Sequence, residues 1–280
     1  MERLGIGPDI CLARNPRLVF ARMTGWGQTG PLSATAGHDL NYLAMTGLLY
    51  MMGRQDQPPM PPLNLVADYG GGAMFLIFGV LAALFERGCS GQGQIVDVAM
   101  TDGVSALAGA FRTLRTAELW HAEREANLLD GGAPYYRVYE TADGGFLSVA
   151  PIEPQFFAEM VARSGMDSAL AARRDDRTTW PEQRGAYAAL FRSKTRAEWE
   201  TIFAGSDACV APVLTPDEAA AHPNSRERVA FVSVAGQTQA APAPRFSRTP
   251  APTPVAARIA DQNHTGKLHS AARTVPCRQR

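Results

Sequence analysis

Short β-rich runs alternate with longer apolar or amphipathic runs in the first part of the chain, and segments rich in glycine and proline separate them. Leu18–Met23 predicts a short strand that stops at a stretch of strong breakers. Asp39–Met52 predicts a helix, and Gly70–Arg87 predicts a second helix, apolar enough to be buried on most sides. Gln94–Ala99 predicts a buried strand. The order strand, helix, helix, strand indicates an α/β layer.

The later part of the chain predicts a smaller α+β domain from about Tyr135 to about His222. A helical pattern over Thr101–Arg124 precedes it, and a turn at Ala142–Gly145 joins two short strands into a predicted hairpin. The remaining predicted elements are the hairpin strands Tyr135–Thr141 and Phe146–Ala150, the amphipathic helices Glu153–Ser164 and Trp180–Phe203, an extended connection over Gly236–Pro254, and a poorly ordered tail after Val255.

A glycine cluster at Gly88, Gly91 and Gly93 resembles a phosphate-binding loop in its composition only. Such a loop follows a strand and opens a helix, whereas this cluster follows a predicted helix and precedes a strand. We therefore predict a tight turn from helix to strand at this place.

Composition and charge narrow the class of protein. Of the 280 residues 46% are hydrophobic and 19% are charged, and the net charge is zero, so we expect a globular protein without a nucleic-acid-binding or polybasic membrane surface. The apolar run Ala73–Phe85 is shorter than the roughly 18 residues of a membrane span. The four dispersed cysteines form no CxxC pair, which predicts no metal site and a reducing, cytoplasmic location. No flavin or nicotinamide motif is present.

Three polar residues stand out against apolar or glycine-rich surroundings: His38, Asp68 and Glu153. Each also has a plain structural explanation, because a histidine after a loop and a carboxylate at a helix start can serve as caps. The glycines at 70–72 favour a further role for Asp68, since glycines in a first helical turn weaken it and indicate a close approach to the backbone. Taken singly, none of the three is specific.

Several longer motifs carry a resemblance to the CaiB/BaiF (family III CoA-transferase) family, and within it to its α-methylacyl-CoA racemase members. The resemblance runs in order from Glu2 to about Pro250. Its motifs are ERLGIGPD, ARMTGWGQTGP, AGHDLNYLAMTG, PPLNLVADYGGGAMFL, GQGQIVDVAM, NLLDGGAPYY, IEPQFF, SDACVAPVL and PAPRFSRTP.

The resemblance implies a fold with a large Rossmann-like domain, a small α+β domain and an interlinked homodimer. It assigns 1–115 to the large domain with the coenzyme A site, 116–134 to a linker, 135–222 to the small domain, 223–258 to a return segment and 259–280 to a disordered tail. Relative to the family, the chain lacks an N-terminal portion that supplies sheet strands and part of the adenine and phosphate site.

The resemblance also assigns roles to single residues. His38 and Asp68 match two catalytic bases, and Glu153 matches the carboxylate that partners the histidine. Residues matching the coenzyme A site are Arg3, Gly37, His38, Asp39, Leu40, Asn41 and Tyr42. The implied substrate is an acyl-CoA, with coenzyme A as part of the thioester and no separate cofactor.

Three functions remain open from the sequence. Two bases on opposite faces of a carbon suit racemisation of a 2-methylacyl-CoA, in which one removes the α-proton and the other returns one. In a family III CoA-transferase, Asp68 would instead be a nucleophile that attacks the thioester. The third alternative is an inactive, shortened homologue. The pair His38 and Glu153 favours racemisation, because transfer needs no second base.

Overall fold

A computed structural model of the chain describes residues 1–256, so the predicted tail at 259–280 lies outside the described residues. Residues 1–213 form one compact unit, and residues from Leu214 onward form another. The first unit contains three 3-10 helices, at Glu2–Leu4, Leu49–Met51 and Arg177–Thr179. Its other elements are, in chain order, α1 (Pro8–Arg14), β1 (Phe20–Thr24), α2 (Asp39–Thr46), a π-helix (Leu65–Met74), α3 (Phe75–Ser90), β2 (Ile95–Ala99), α4 (Met100–Leu107), α5 (Gly109–Thr116), β3 (Arg137–Glu140), β4 (Phe146–Val149), α6 (Pro154–Ser164), α7 (Ser168–Ala172), α8 (Trp180–Phe191), α9 (Arg196–Phe203) and β5 (Val210–Pro212).

Strands β1 and β2 pair in parallel, from Phe20 opposite Ile95 to Thr24 opposite Ala99. The connection between them holds α2, the π-helix and α3, as the sequence pattern predicts. The turn before β2 is the predicted helix-to-strand turn. Gly91 adopts the left-handed conformation at the end of α3, and a side chain at Gly93 would lie 1.9 Å from the Leu18 carbonyl oxygen.

Helix α3 differs from its prediction, because most of it is not buried. Ala83 is its only buried residue, while Phe78 and Phe85 are 72% and 78% exposed. Gly79 lies against the sheet, since a side chain there would come within 2.8 Å of Val96. One narrow face therefore packs on β2, and an apolar stripe on the other side meets solvent. The apolar composition predicted a helix correctly but did not predict which faces are covered.

The π-helix and α3 together form one continuous helical segment, Leu65–Ser90, which begins earlier than the predicted helix. Among residues 1–256 this segment alone is long and apolar enough, by length and composition, to cross a membrane, with a mean hydropathy of 1.7 over its most apolar window. Core helices of soluble proteins also meet that criterion, although only 17% of this window is buried. The expectation of no membrane partner stays a prediction.

Three predicted helices are longer than those in the structure. Helix α2 ends at Thr46 because Gly47 takes the left-handed conformation, with φ at 79°. The helical pattern after β2 ends at Thr116 rather than Arg124. The predicted helix Trp180–Phe203 is two helices, since Thr195 starts α9 with a capping box, its hydroxyl accepting from the Glu198 N–H at 3.3 Å.

The small predicted domain has a sheet and an aromatic core. Strands β3 and β4 form the predicted antiparallel hairpin, and β5 pairs antiparallel with β4. Rings of Tyr139, Tyr187 and Phe191 pack together at centroid distances of 5.3 to 6.5 Å. A separate core in the same unit surrounds Tyr42, Leu43 and Val104. The predicted domain limits at 115, 135, 222 and 258 stay predictions.

The second unit contains two short helices and a hairpin over its described residues 214–256. Its elements are α10 (Pro216–Ala221), α11 (Pro223–Glu227), β6 (Phe231–Val234) and β7 (Gln237–Ala240). Strands β6 and β7 pair antiparallel around the turn residue Gly236, whose φ is 79°. The predicted extended connection Gly236–Pro254 is therefore wrong in its first part, because a glycine in a left-handed turn allows the chain to fold back.

Candidate active site

His38 lies at the start of α2, where its backbone takes the N-cap position. Its N–H donates to Asn41 Oδ1 at 3.1 Å. The preceding residue, Gly37, is fixed by Tyr42, whose hydroxyl donates to the Gly37 carbonyl at 2.5 Å. His38 itself is exposed. The helix start thus holds the backbone of this residue in a capping box with Asn41, and the residue as a whole is exposed.

Tyr42 and Trp26 pack edge to face beside His38, with ring centroids 4.7 Å apart. A side chain at Gly25 would meet the Tyr42 ring at 2.1 Å, and one at Gly37 would meet it at 2.7 Å. Both glycines are therefore required by the aromatic pair. Burial raises the pKa of the Tyr42 phenol, and the Asp68 carboxylate raises it further. The hydroxyl stays protonated and able to donate to Gly37.

Asp39 connects the His38 segment to the Asp68 segment. Its side chain is buried, with 5% of the residue exposed. Its Oδ2 accepts hydrogen bonds from the backbone N–H of Ala67 at 2.8 Å and of Asp68 at 2.9 Å. A carboxylate is favoured there, because N–H groups at a helix start lack partners within the helix. Asp39 thus caps the start of the π-helix.

Asp68 lies in the first turn of the π-helix and is partly exposed. Its Oδ2 accepts a hydrogen bond from Asn64 Nδ2 at 3.2 Å. π-helices are rare and occur often at functional sites. Because Asp39 follows His38 and bonds the Asp68 N–H, the structure brings the backbones of the two predicted bases together.

The glycines after Asp68 permit close contact between two helices. A side chain at Gly71 would lie 2.7 Å from the Val104 nitrogen, and one at Gly103 would lie 1.9 Å from the Gly71 carbonyl oxygen. The predicted close approach to this backbone is therefore made by α4 of the same chain. This packing fixes the helix that carries Asp68.

Replacing Gly103 by Ala should destabilise the protein by about 3 kcal/mol, because the new methyl group meets backbone that cannot move aside. Gly109→Ala is the matched control: it is also a helical glycine, but nothing lies within 4 Å of the place that a methyl group there would take. That variant should be neutral or more stable by up to about 1 kcal/mol. Urea denaturation measures both, and equal stabilities of the two variants would contradict the packing argument.

Glu153 is not brought to His38 within the described part of this chain. It is exposed at the N-cap of α6, and no hydrogen bond from its side chain caps that helix. Its charge instead acts on Cys209: desolvation raises the pKa of that thiol, and the Glu153 carboxylate raises it further. A contact between Glu153 and His38 would therefore have to involve a second chain or residues other than the described ones.

The other residues matched to the coenzyme A site divide into exposed and internal ones. Arg3 is exposed in the first 3-10 helix, and Leu40 is 44% exposed. Tyr42 and Asp39 are buried; the Tyr42 hydroxyl and the Asp39 Oδ2 are bonded within the protein, whereas Asp39 Oδ1 has no hydrogen-bond partner among the described residues. Their coenzyme A roles stay predictions. In residues 1–256 no group of three or more His, Cys, Asp or Glu side chains is placed to hold a metal ion.

Sequence reasoning missed Asn64 and did not assign Tyr42 its structural role. Asn64 stands four residues before Asp68, which is the spacing of neighbours on one helix face, and that spacing was an available signal. The bond from Tyr42 to Gly37 joins residues five apart across a helix start. No spacing in the sequence predicts this hydrogen bond.

The chain is similar to known proteins over most of its length. Over 252 residues the chain is 46% identical to a mouse protein and 43% identical to a human protein, both named alpha-methylacyl-CoA racemase. Each match covers 90% of this chain and 66% of the relative, so the chain spans about two thirds of the relatives' length.

A solved structure of a CAIB/BAIF family protein from Brucella suis superimposes with a TM-score of 0.71 at 21% identity, covering 89% of this chain and 66% of that one. This likeness confirms the predicted α/β fold class. Residues 1–261 match the sequence profile of CoA-transferase family III. The chain therefore belongs to CoA-transferase family III.

Proposed function

We propose that the protein epimerises 2-methylacyl-CoA thioesters by moving the α-proton between two opposed bases. The observation that carries the proposal is the Asp39 carboxylate, which joins the segment of His38 to the N–H groups of Ala67 and Asp68. These bonds hold the backbones that carry His38 and Asp68 together, which supports a shared role for the two side chains. The racemase names of the mouse and human relatives support the same reaction.

The reaction needs no electron acceptor. One base removes the α-proton, the electron pair moves onto the thioester as an enolate, and the protonated second group returns a proton to the opposite face. Histidine suits one face because its usual pKa of about 6.5 lies near the working pH. Asp68 serves the other face. The N–H groups of Ala67 and Asp68 are bonded to Asp39, so on this proposal the enolate oxygen is stabilised by other backbone N–H groups around the glycines that follow Asp68.

Glu153 takes part, on this proposal, from the partner subunit of a homodimer. Within one described chain it is exposed and stands apart from His38. In an interlinked dimer the carboxylate of one chain would accept a hydrogen bond from the histidine of the other. Such a bond fixes the ring tautomer and stabilises the imidazolium that forms during turnover.

CoA transfer is the second candidate, and the partly exposed Asp68 carboxylate is the observation that favours it. In that reaction Asp68 attacks the thioester carbonyl, coenzyme A leaves as a thiolate, and a mixed anhydride is formed. The thiolate then attacks the aspartyl carbonyl and releases the first acid, which leaves an Asp68 thioester with coenzyme A. The acceptor carboxylate attacks this thioester to form a new anhydride, and thiolate attack on the acceptor carbonyl gives the new acyl-CoA and regenerates Asp68. The Asn64 bond to Asp68 is compatible with either role.

One experiment separates the two functions. A single enantiomer of a 2-methylacyl-CoA is incubated with the full chain in deuterated water, with and without a free acceptor acid. Racemisation predicts deuterium at the α-carbon and loss of optical purity without any acceptor. If coenzyme A instead appears on the acceptor with no α-exchange, the transferase function replaces the proposal.

The proposal includes the cellular location, the oligomeric state and the partners of the protein. We propose a cytoplasmic homodimer with an acyl-CoA substrate and no nucleic-acid or membrane partner. The zero net charge and the dispersed cysteines support this.

A further inference from the structure

Arg174 is a charged residue inside the aromatic core next to Glu153. Only 12% of its side chain is exposed. The guanidinium carbon lies 4.3 Å from the ring centre of Tyr135 and 4.5 Å from that of Phe157. Two rings therefore hold one guanidinium group through cation–π contacts. Burying a guanidinium is costly unless its N–H groups find acceptors.

The acceptors of Arg174 are backbone carbonyls directly before Glu153. Its Nη2 donates to the Ile152 carbonyl and lies 3.5 Å from the Pro151 carbonyl. Its Nε makes no hydrogen bond among the described residues, but it lies 3.6 Å from the exposed Asp175 carboxylate. The hydrogen bonds of Nη2 therefore go to the segment that leads into α6, and the charge is also paired with Asp175.

These contacts lie on both sides of Glu153 along the chain. The two bonded carbonyls precede it, and Phe157 lies one helical turn after it, with its N–H donating to the Glu153 carbonyl at 3.0 Å. The prolines at 151 and 154 restrict the backbone further, because each fixes its own φ. Glu153 is therefore an exposed carboxylate on a backbone that is held rigidly.

We propose that Arg174 is a positioning residue that holds the Pro151–Ile152 peptides and thereby aims the Glu153 carboxylate at the catalytic histidine of the other chain in the proposed dimer. The inference rests on the proposed function, because it deepens the role given there to Glu153. Arg174 itself does not touch the substrate. Its effect passes through the backbone before Glu153.

A double-mutant cycle tests this coupling. Arg174→Met should lower kcat for racemisation by about 10- to 100-fold, since small misplacements of a positioned group cost that much. KM should change by less than about twofold. In a Glu153→Gln background, Arg174→Met should cost less than about another twofold, because the group it aims is already altered. Losses in kcat that multiply independently would overturn the proposal.

Arg184→Met is the matched control. Arg184 is also half-buried, and its Nη1 donates to the Glu125 carbonyl at 3.1 Å and lies 3.5 Å from the Gly132 carbonyl. It holds a different loop. Its variant should keep kcat within about twofold of wild type. A loss as large as that of Arg174→Met would show a general structural effect and sink the assignment.

Hydrogen–deuterium exchange provides a readout that needs no activity. Amides over residues 150–158 should exchange faster in Arg174→Met than in wild type or Arg184→Met. Unchanged exchange there would overturn the proposal even if the enzyme is slow. A wild-type chain with no α-exchange would refute the proposed function, while the amide measurement still decides whether Arg174 holds the segment.

Arg174→Lys keeps the test valid if the methionine variant does not fold. Lysine retains the charge beside the rings and can donate to one carbonyl, but it lacks the planar fork of arginine. Its kcat and its amide exchange should lie between those of wild type and Arg174→Met, and the cycle with Glu153→Gln can be run with it. If Arg174→Lys and Arg174→Met are both stable and both keep the kcat and the amide exchange of wild type, the proposal is contradicted.

Discussion

Asp68→Asn and His38→Ala should each lower the rate of racemisation by about 100-fold or more, because each removes one of two positioned acid–base groups. The two variants should differ in the proton exchange that they retain. A chain with one base left can still remove the α-proton of the enantiomer that faces this base. It returns the proton to the same face, so deuterium enters without inversion. The enantiomer that loses exchange in one variant should be the one that keeps it in the other.

Chiral analysis combined with mass spectrometry of the α-deuterium measures this pattern. Asp56→Asn is the control, since it removes an exposed carboxylate from a loop elsewhere and should leave both rates unchanged. Loss of activity in Asp68→Asn together with full racemisation in His38→Ala would rule out the two-base mechanism. Equal rates for wild type and Asp68→Asn would reject both racemisation and CoA transfer.

Asp39→Ala should destabilise the protein by about 2–5 kcal/mol, because it leaves the buried Ala67 N–H and the partly buried Asp68 N–H without this acceptor. It should also lower kcat by about 10- to 100-fold, since the start of the π-helix is then free to shift Asp68. Asp39→Asn should cost less, about 1–3 kcal/mol, because one oxygen accepts both bonds and the amide retains one, while its NH2 group replaces Oδ1 at a buried place without a partner. Urea denaturation and the α-exchange assay measure the two effects.

Asp167→Ala is the matched control for Asp39. Asp167 also accepts a backbone hydrogen bond at a helix start, from the Ala169 N–H at 2.8 Å, but at an exposed position. Its loss should cost about 1 kcal/mol and leave the activity unchanged. If Asp39→Ala is as stable and as active as Asp167→Ala, the hydrogen bonds that link the His38 and Asp68 segments affect neither stability nor activity.

Much of the fold could be predicted from local sequence patterns. The β-rich run at β1 and the apolar run at β2 located both parallel strands, but β2 is buried only at Val98 and Ala99 and not along its length as predicted. The hairpin of β3 and β4 followed from alternation around a glycine turn. The helix predictions failed mainly at their ends and in burial: a glycine at 47 stops α2, and α3 is covered on only one narrow face.

The candidate site was predictable in its residues but not in its assembly. His38, Asp68 and Glu153 were identified as polar residues at element ends, and the structure places His38 and Glu153 at N-caps and Asp68 in a first turn. Which of them come together depends on contacts that no local pattern encodes. The bond from Asp39 to the Ala67 N–H spans 28 residues.

By itself, the sequence determined the element types, the motifs that mark the family and the residues able to exchange a proton, because periodicity, turn residues and side-chain chemistry are local properties. Only the tertiary structure decided the partner of Asp39, the contact of Gly71 with Gly103, the exposed stripe of α3 and the place of Arg174 beside Glu153. The physical reason is that burial and long-range hydrogen bonds depend on which surfaces meet, and that is settled only when the elements pack.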